Sequence, residues 1–173
     1  NRRFGRLRDS RDLRDYGPDS PEVAAMLGLA GLDASTLTRL PIPTELSLRE
    51  WCSPIEDQGE LGSCVAHAVV GLGEYYQRKS FGVHLDMSRL FVYYNARRLM
   101  GTPDWDSGSE IRTGVGSLVL FGSPPEKFYP YNESNFKKLP DQFLYSFAEN
   151  FKATKYFRLD TPGIRSDTLL YLI

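Results

Sequence analysis

The run Asp57-Gln58-Gly59-Glu60-Leu61-Gly62-Ser63-Cys64 leads straight into an apolar pattern with helical spacing, and this junction constrains the chain more than any other feature. Val65, Ala66, Ala68, Val69, Leu72 and Tyr76 recur with the period of a helix, which predicts a mostly buried helix from Cys64 to about Lys79. Ser63 is the expected N-cap. Gly59 and Gly62 permit a sharp turn just before it and leave room for another backbone to come close. A chain that satisfies this pattern places a cysteine on the first turn of a core helix, at the mouth of a glycine-rich loop.

That placement suits a nucleophile. A cysteine attacks as its thiolate, and the partial positive charge at a helix N-terminus favours the anion. The side-chain amide of Gln58 is expected near the backbone N–H of Cys64, and the two would form an oxyanion hole. Loss of one such donor typically costs about 3 kcal/mol. The same residues also fit a buried cysteine behind an ordinary turn, with Gln58 on the surface. The residues alone leave both readings open.

His67 follows Cys64 by three positions on the same helix. A general base should face its nucleophile across a cleft, so His67 reads as a packing residue. His84 lies in the turn Gly82-Val83-His84-Leu85 and reads as structural. The sequence holds no third histidine. Cys52 reads as a small buried apolar residue. Two cysteines exclude a disulfide framework, and neither makes a ligand-spaced pair with a histidine. No metal or cofactor is therefore expected.

A hydrophobic fraction of 41% supports a real core in one domain or most of one. The net charge of −1 gives no field toward nucleic acid, and no apolar run approaches the ~20 residues of a membrane span. Asn1–Asp15 carries six arginines and three aspartates and reads as a solvated arm. A short helix is predicted over Pro21–Leu29, capped by Ser20, and Pro41-Ile42-Pro43 closes this region. The expected division is an arm over 1–40 and a domain over 41–173. Within the domain, Leu48–Ile55 reads as mostly extended. Further helices are expected over Ser88–Leu99, Glu110–Phe121 and Asp141–Phe151, a strand over Thr154–Leu159, and a last helix capped by Ser166.

Several segments, in order, resemble the papain-like cysteine peptidases. Asp57-Gln58-Gly59 and Gly62-Ser63-Cys64 resemble the active-site motif, and Leu48–Gln58 resembles the strand that leads into it. Ser88–Asn95 resembles the next helix in the style of bacterial members. Asp106-Ser107-Gly108-Ser109-Glu110-Ile111-Arg112 resembles the loop that binds an extended substrate backbone. Gly122-Ser123-Pro124-Pro125-Glu126 and Tyr129-Pro130-Tyr131 resemble a later signature. The likeness covers about Pro41 to Leu159.

The resemblance implies an α+β fold with the helical left domain built around the nucleophile helix and the β-rich right domain largely absent. It implies a cysteine-type peptidase acting through a thioester, on a peptide or protein substrate, with Cys64 as nucleophile and Gln58 as oxyanion donor. Gly62, Ser63, Ser107 and Gly108 would line the cleft, with Ser109 and Glu110 near the subsite for the second side chain before the cut. Residues 1–40 would be a pro-region lying along the cleft, as in a zymogen.

Three departures stand out. Leu61 replaces the cysteine of a structural disulfide, and Val65 replaces the usual tryptophan. The family histidine and asparagine fall about 130–150 residues past the cysteine, beyond Ile173, so the expectation is a chain with little activity alone. A second chain or a missing C-terminal segment would complete the site. The alternatives are a non-catalytic paralogue that binds peptides or a protein, and an acyl-transferring enzyme on the same nucleophile. Compartment is left open, since a lack of disulfides fits a cytosol without excluding secretion.

Overall fold

The structure, a computed structural model, describes residues 4–10, 12–13, 15–17, 20–29 and 44–157. The chain divides into two compact units, one of Asn1–Ser10 with Ser47–Thr154, the other of Arg11–Leu46 with Lys155–Ile173. In the second unit, α1 spans Pro21–Leu29 and buries Val23. Its first turn is closed on the Ser20 carbonyl by Val23 and Ala24, while the Ser20 hydroxyl accepts from the Gly17 N–H at 2.8 Å.

The first unit is built on three helices: α2 (Cys64–Phe81), α3 (Arg89–Leu99) and α4 (Ile111–Leu120). They pack pairwise on one another. α3 is the central one, buried continuously from Arg89 to Arg97. It starts on Ser88, whose hydroxyl accepts from the Phe91 N–H at 3.2 Å. α2 ends on Gly82, whose φ of 66° is the left-handed conformation of a helix stop. A shorter helix, α5 (Gln142–Ala148), is capped by Asp141 and lays Leu144 and Ala148 into the core. No helix among the described residues is long and apolar enough to cross a membrane.

The buried face of α2 differs from the expected one. Val65, Ala66, Val69, Val70 and Tyr75 face the core, whereas Ala68, Leu72 and Tyr76 are exposed. Apolar residues occur on both sides of this helix, so spacing alone did not select the core side. Glu74 is buried among them because its carboxylate accepts from the Met87 N–H at 2.8 Å and from the Ser53 hydroxyl.

Charge is buried in α3 as well. The Arg97 guanidinium donates to the carbonyls of Pro103, Trp105 and Phe136 and lies 4.2 Å from the Tyr93 ring centroid. It therefore holds the loop after α3 against the helix.

Four expectations are corrected. Residues 49–51 form one 3₁₀ turn rather than extended chain, closed by Trp51 N–H to Leu48 O at 3.2 Å and Cys52 N–H to Arg49 O at 3.1 Å. That turn leaves Cys52 exposed rather than buried, its Sγ 3.5 Å from the Leu48 carbonyl. Residues 154–157 are not strand, having no partner strand among the described residues. Residues 158–159 and Ser166 lie outside the described residues. Finally, the arginine-rich start is not simply solvated. β1 (Arg6–Leu7) pairs in parallel with β2 (Ser109–Glu110), with Arg6 opposite Ser109 and Leu7 opposite Glu110.

Candidate active site

The turn over 57–63 has its backbone groups satisfied from several directions. The Asp57 carboxylate accepts from the Gly59 N–H at 3.0 Å, and Gly59 takes the φ of +60° that glycine adopts freely. Glu133 accepts from the Glu60 N–H at 3.1 Å. Asp106 accepts from the Gly62 N–H at 3.0 Å. The Tyr131 hydroxyl donates to the Gln58 carbonyl at 2.8 Å. Leu61 is part of the apolar core.

Gln58 sits inside this turn, and its Nε2 donates to the Leu61 carbonyl at 2.8 Å. That bond fixes the amide on the turn that ends at Cys64. The thiol of Cys64 is free and half-buried on the first residue of α2. Behind it, Val65 is buried, and a Cβ on Gly114 of α4 would come within 2.7 Å of its Cγ1. The pair lets α2 and α4 approach closely at this level.

Ser63 stands at the N-cap position, but its side chain does not cap. Its hydroxyl lies 2.6 Å from the Tyr131 hydroxyl and 3.3 Å from His67 Nδ1. His67 is turned to this cluster as well. Its Nδ1 is 3.1 Å from the Ser63 carbonyl, and its ring meets the Tyr131 ring edge-on at 5.0 Å between centroids. Its Nε2 is buried without a hydrogen-bond partner. Burial holds the His67 pKa below the usual imidazole range, against the bond to Ser63. His67 is thus a neutral packing residue, as its place on the helix suggested. Burial also raises the Tyr131 phenol, to about 12, so it remains a donor.

Gly62 and Gly108 approach each other and the arm closely. A Cβ on Gly62 would lie 3.2 Å from Gly5 Cα, 3.3 Å from the Asp106 carboxylate and 3.5 Å from Gly108 Cα. The Ser109 N–H donates to the Gly5 carbonyl at 2.8 Å. The arm's backbone therefore lies between the two glycines. Further along it, Asp9 accepts from the Arg112 N–H at 2.9 Å and Ser10 O from the Arg112 guanidinium at 2.6 Å.

The structure thus brings Gly62, Gly108 and Ser109 together around one extended segment. The Ser109 side chain is fully buried. Ser107 is turned instead to Thr102, at 2.9 Å, and to the Gly108 carbonyl. Glu110 stands at the N-cap position of α4 without a side-chain cap, its carboxylate 3.9 Å from Arg112. Asp106, Tyr131 and Gly5 escaped the sequence reading as site residues. The first two lie inside quoted motifs, but only the folded chain reveals what they bond.

No family model matches the chain. Over 105 residues it is 38% identical to an uncharacterized peptidase C1-like protein of Acanthamoeba polyphaga mimivirus, a match covering 60% of this chain and 34% of that protein. The structure is similar to xylellain, a cysteine protease from Xylella fastidiosa, with a TM-score of 0.75 and 28% identity over 97% of this chain and 61% of that one. It is also similar in fold to procathepsin L 3 of the Tenebrio molitor larval midgut, with a TM-score of 0.59 at 18% identity, over 78% of this chain and 42% of that one. The chain spans about a third of the length of the curated relative, and its described helical unit has the fold of the papain-like left domain.

Proposed function

We propose that this chain carries the nucleophile half of a cysteine-type peptidase. The observation that carries this reading is the seating of Gly5–Leu7, a backbone held between Gly62 and Gly108 and paired with Ser109–Glu110, on the turn that leads to Cys64. A groove that takes one extended polypeptide by main-chain bonding is suited to a peptide substrate.

In the proposed reaction the Cys64 thiolate attacks the carbonyl carbon of a peptide bond. The oxyanion is received by the Cys64 N–H and the Gln58 amide. Collapse breaks the C–N bond, the amine leaves with a proton from an imidazolium, and a thioester remains on Cys64. Water then hydrolyses the thioester and restores the thiol. Gly62, Ser63, Gly108, Ser109 and Glu110 line the substrate path, with Ser107 bracing the loop behind Gly108.

The imidazole is the missing participant. His67 is engaged with Ser63 and Tyr131. His84 is exposed just past the far end of α2, whose 18 residues span about 27 Å. Residues outside this sequence, on the same polypeptide or on a second chain, would therefore supply the base. Without it the thiol loses its proton acceptor and the amine its proton donor.

Residues 1–40 are proposed as a pro-region whose first part occupies the substrate path. The second reading, a non-catalytic peptide-binding module, is favoured by one specific fact: neither histidine is placed as a base. Exposure of Gly5→Ala, in which the arm cannot seat against Gly62, to a peptidyl electrophile under reducing conditions, read by mass spectrometry, separates the two. Faster labelling of Cys64 than of the exposed Cys52, together with displacement of the arm, supports the peptidase reading. Equal, slow labelling of both overturns it.

A further inference from the structure

We infer that Asp106 is a positioning residue that locks the turn before Cys64 to the strand that receives an extended backbone. This rests on the reading of Cys64 as nucleophile and adds a residue to that site.

One carboxylate oxygen does the joining. Asp106 Oδ1 accepts from the Gly62 N–H at 3.0 Å and from the Tyr93 hydroxyl. The Tyr93 oxygen in turn accepts from the Gly108 N–H at 3.2 Å. Gly62 lies two residues before Cys64, and Gly108 lies one before Ser109, whose N–H meets the arm. The separation of thiol and backbone-binding strand is thus set through Asp106 and Tyr93. Tyr93 is itself fixed, fully buried in α3 with Arg97 against its ring. Burial first, and then the bond to Asp106, keeps its phenol protonated, so it always donates.

The chemistry suits the task. A carboxylate accepts several hydrogen bonds at once, and charge-assisted bonds are shorter and stronger than neutral ones. Gly62 and Gly108 are both buried, so removing their acceptors leaves N–H groups without water.

Amide hydrogen exchange on the full chain, with the Cys64 amide resonance followed alongside, tests this without needing activity. In Asp106→Ala, exchange at Gly62, Gly108 and Ser109 is expected to quicken at least about tenfold, while Val92 and Ala96 in α3 keep their protection. The Cys64 amide resonance should shift. Asp106→Asn, which keeps an acceptor oxygen, should restore most of the protection, and Asp104→Ala in the same loop should change nothing. If Asp106→Ala is poorly folded, Tyr93→Phe removes one hydroxyl and should free Gly108 and Ser109 more than Gly62. Unchanged exchange at Gly62 and Ser109, or a uniform loss that includes α3, overturns the inference. Failure of Cys64 to react with a peptidyl electrophile would sink the peptidase reading and leave these exchange results as they are.

Discussion

Gly5 lies against Gly62 so closely that a Cβ on Gly5 would overlap the Gly62 carbonyl. On the other side, the Gly5 carbonyl occupies the space that a Cβ on Gly108 would need. The arm therefore passes the turn before Cys64 only because the residue there has no side chain. Both neighbours are backbone, which cannot swing aside as a flexible side chain would.

Gly5→Ala is accordingly expected to expel β1 from the site while leaving the three-helix core intact. Labelling of Cys64 by iodoacetamide should accelerate about tenfold, the equivalent of ~1.4 kcal/mol of lost docking. Thermal unfolding should hardly move, because β1 is only two residues long and exposed. An unchanged labelling rate would show that the arm does not shield the thiol.

Tyr131 joins the turn to the start of α2, donating to Gln58 O and lying 2.6 Å from the Ser63 hydroxyl. Tyr131→Phe keeps the ring against His67 and removes only the hydroxyl. It removes one partner from the half-buried Gln58 carbonyl and one from the fully buried Ser63 hydroxyl, which keeps His67 Nδ1, at a cost of about 1 kcal/mol or more. Urea unfolding of both proteins measures this. A loss well below 1 kcal/mol would mean that water takes the place of the hydroxyl.

The helices were legible from apolar spacing, and local signals bound some of them, although Ser63, the expected cap of α2, does not cap it. Ser88 before α3, Asp141 before α5 and Gly122 after α4 are local signals, and all three act where they stand. The order of the site motifs was legible too. What escaped has a long-range origin. Pairing of β1 with β2 joins residues about a hundred positions apart, and nothing near Arg6 announces Ser109. Asp106 looked like one more polar loop residue until Gly62 and Tyr93 met on it. The exposed side of α2 was misjudged for a similar reason, since Leu72 and Tyr76 have the right period and face away from the core.

Cys52 and Cys64 offer an internal comparison. Cys52 is exposed at the end of a 3₁₀ turn, whereas Cys64 is half-buried two residues after Gly62, against which the arm lies. A small reagent should label Cys52 first, and a peptidyl electrophile should invert the order once the arm is displaced, as in Gly5→Ala. Neither protein should cleave an unstructured substrate at an appreciable rate. Efficient cleavage abolished by Cys64→Ala would show that a base is available within this chain after all.

His67 gives the acid side of the stability profile a definite sign. Its pKa is lowered in the folded chain, chiefly by burial, so the unfolded chain binds a proton first as pH falls. The group costs nothing above the ordinary imidazole pKa of 6.5, where it is neutral in both states. Stability is then lost as pH drops below 6.5, until the folded imidazole also protonates. His67→Gln removes this term and should flatten the fall in unfolding free energy between pH 7.5 and pH 5, while still filling much of the space beside Tyr131. Urea titrations at the two pH values read the difference directly. An identical fall in both proteins would mean that the folded imidazole protonates as readily as the unfolded one.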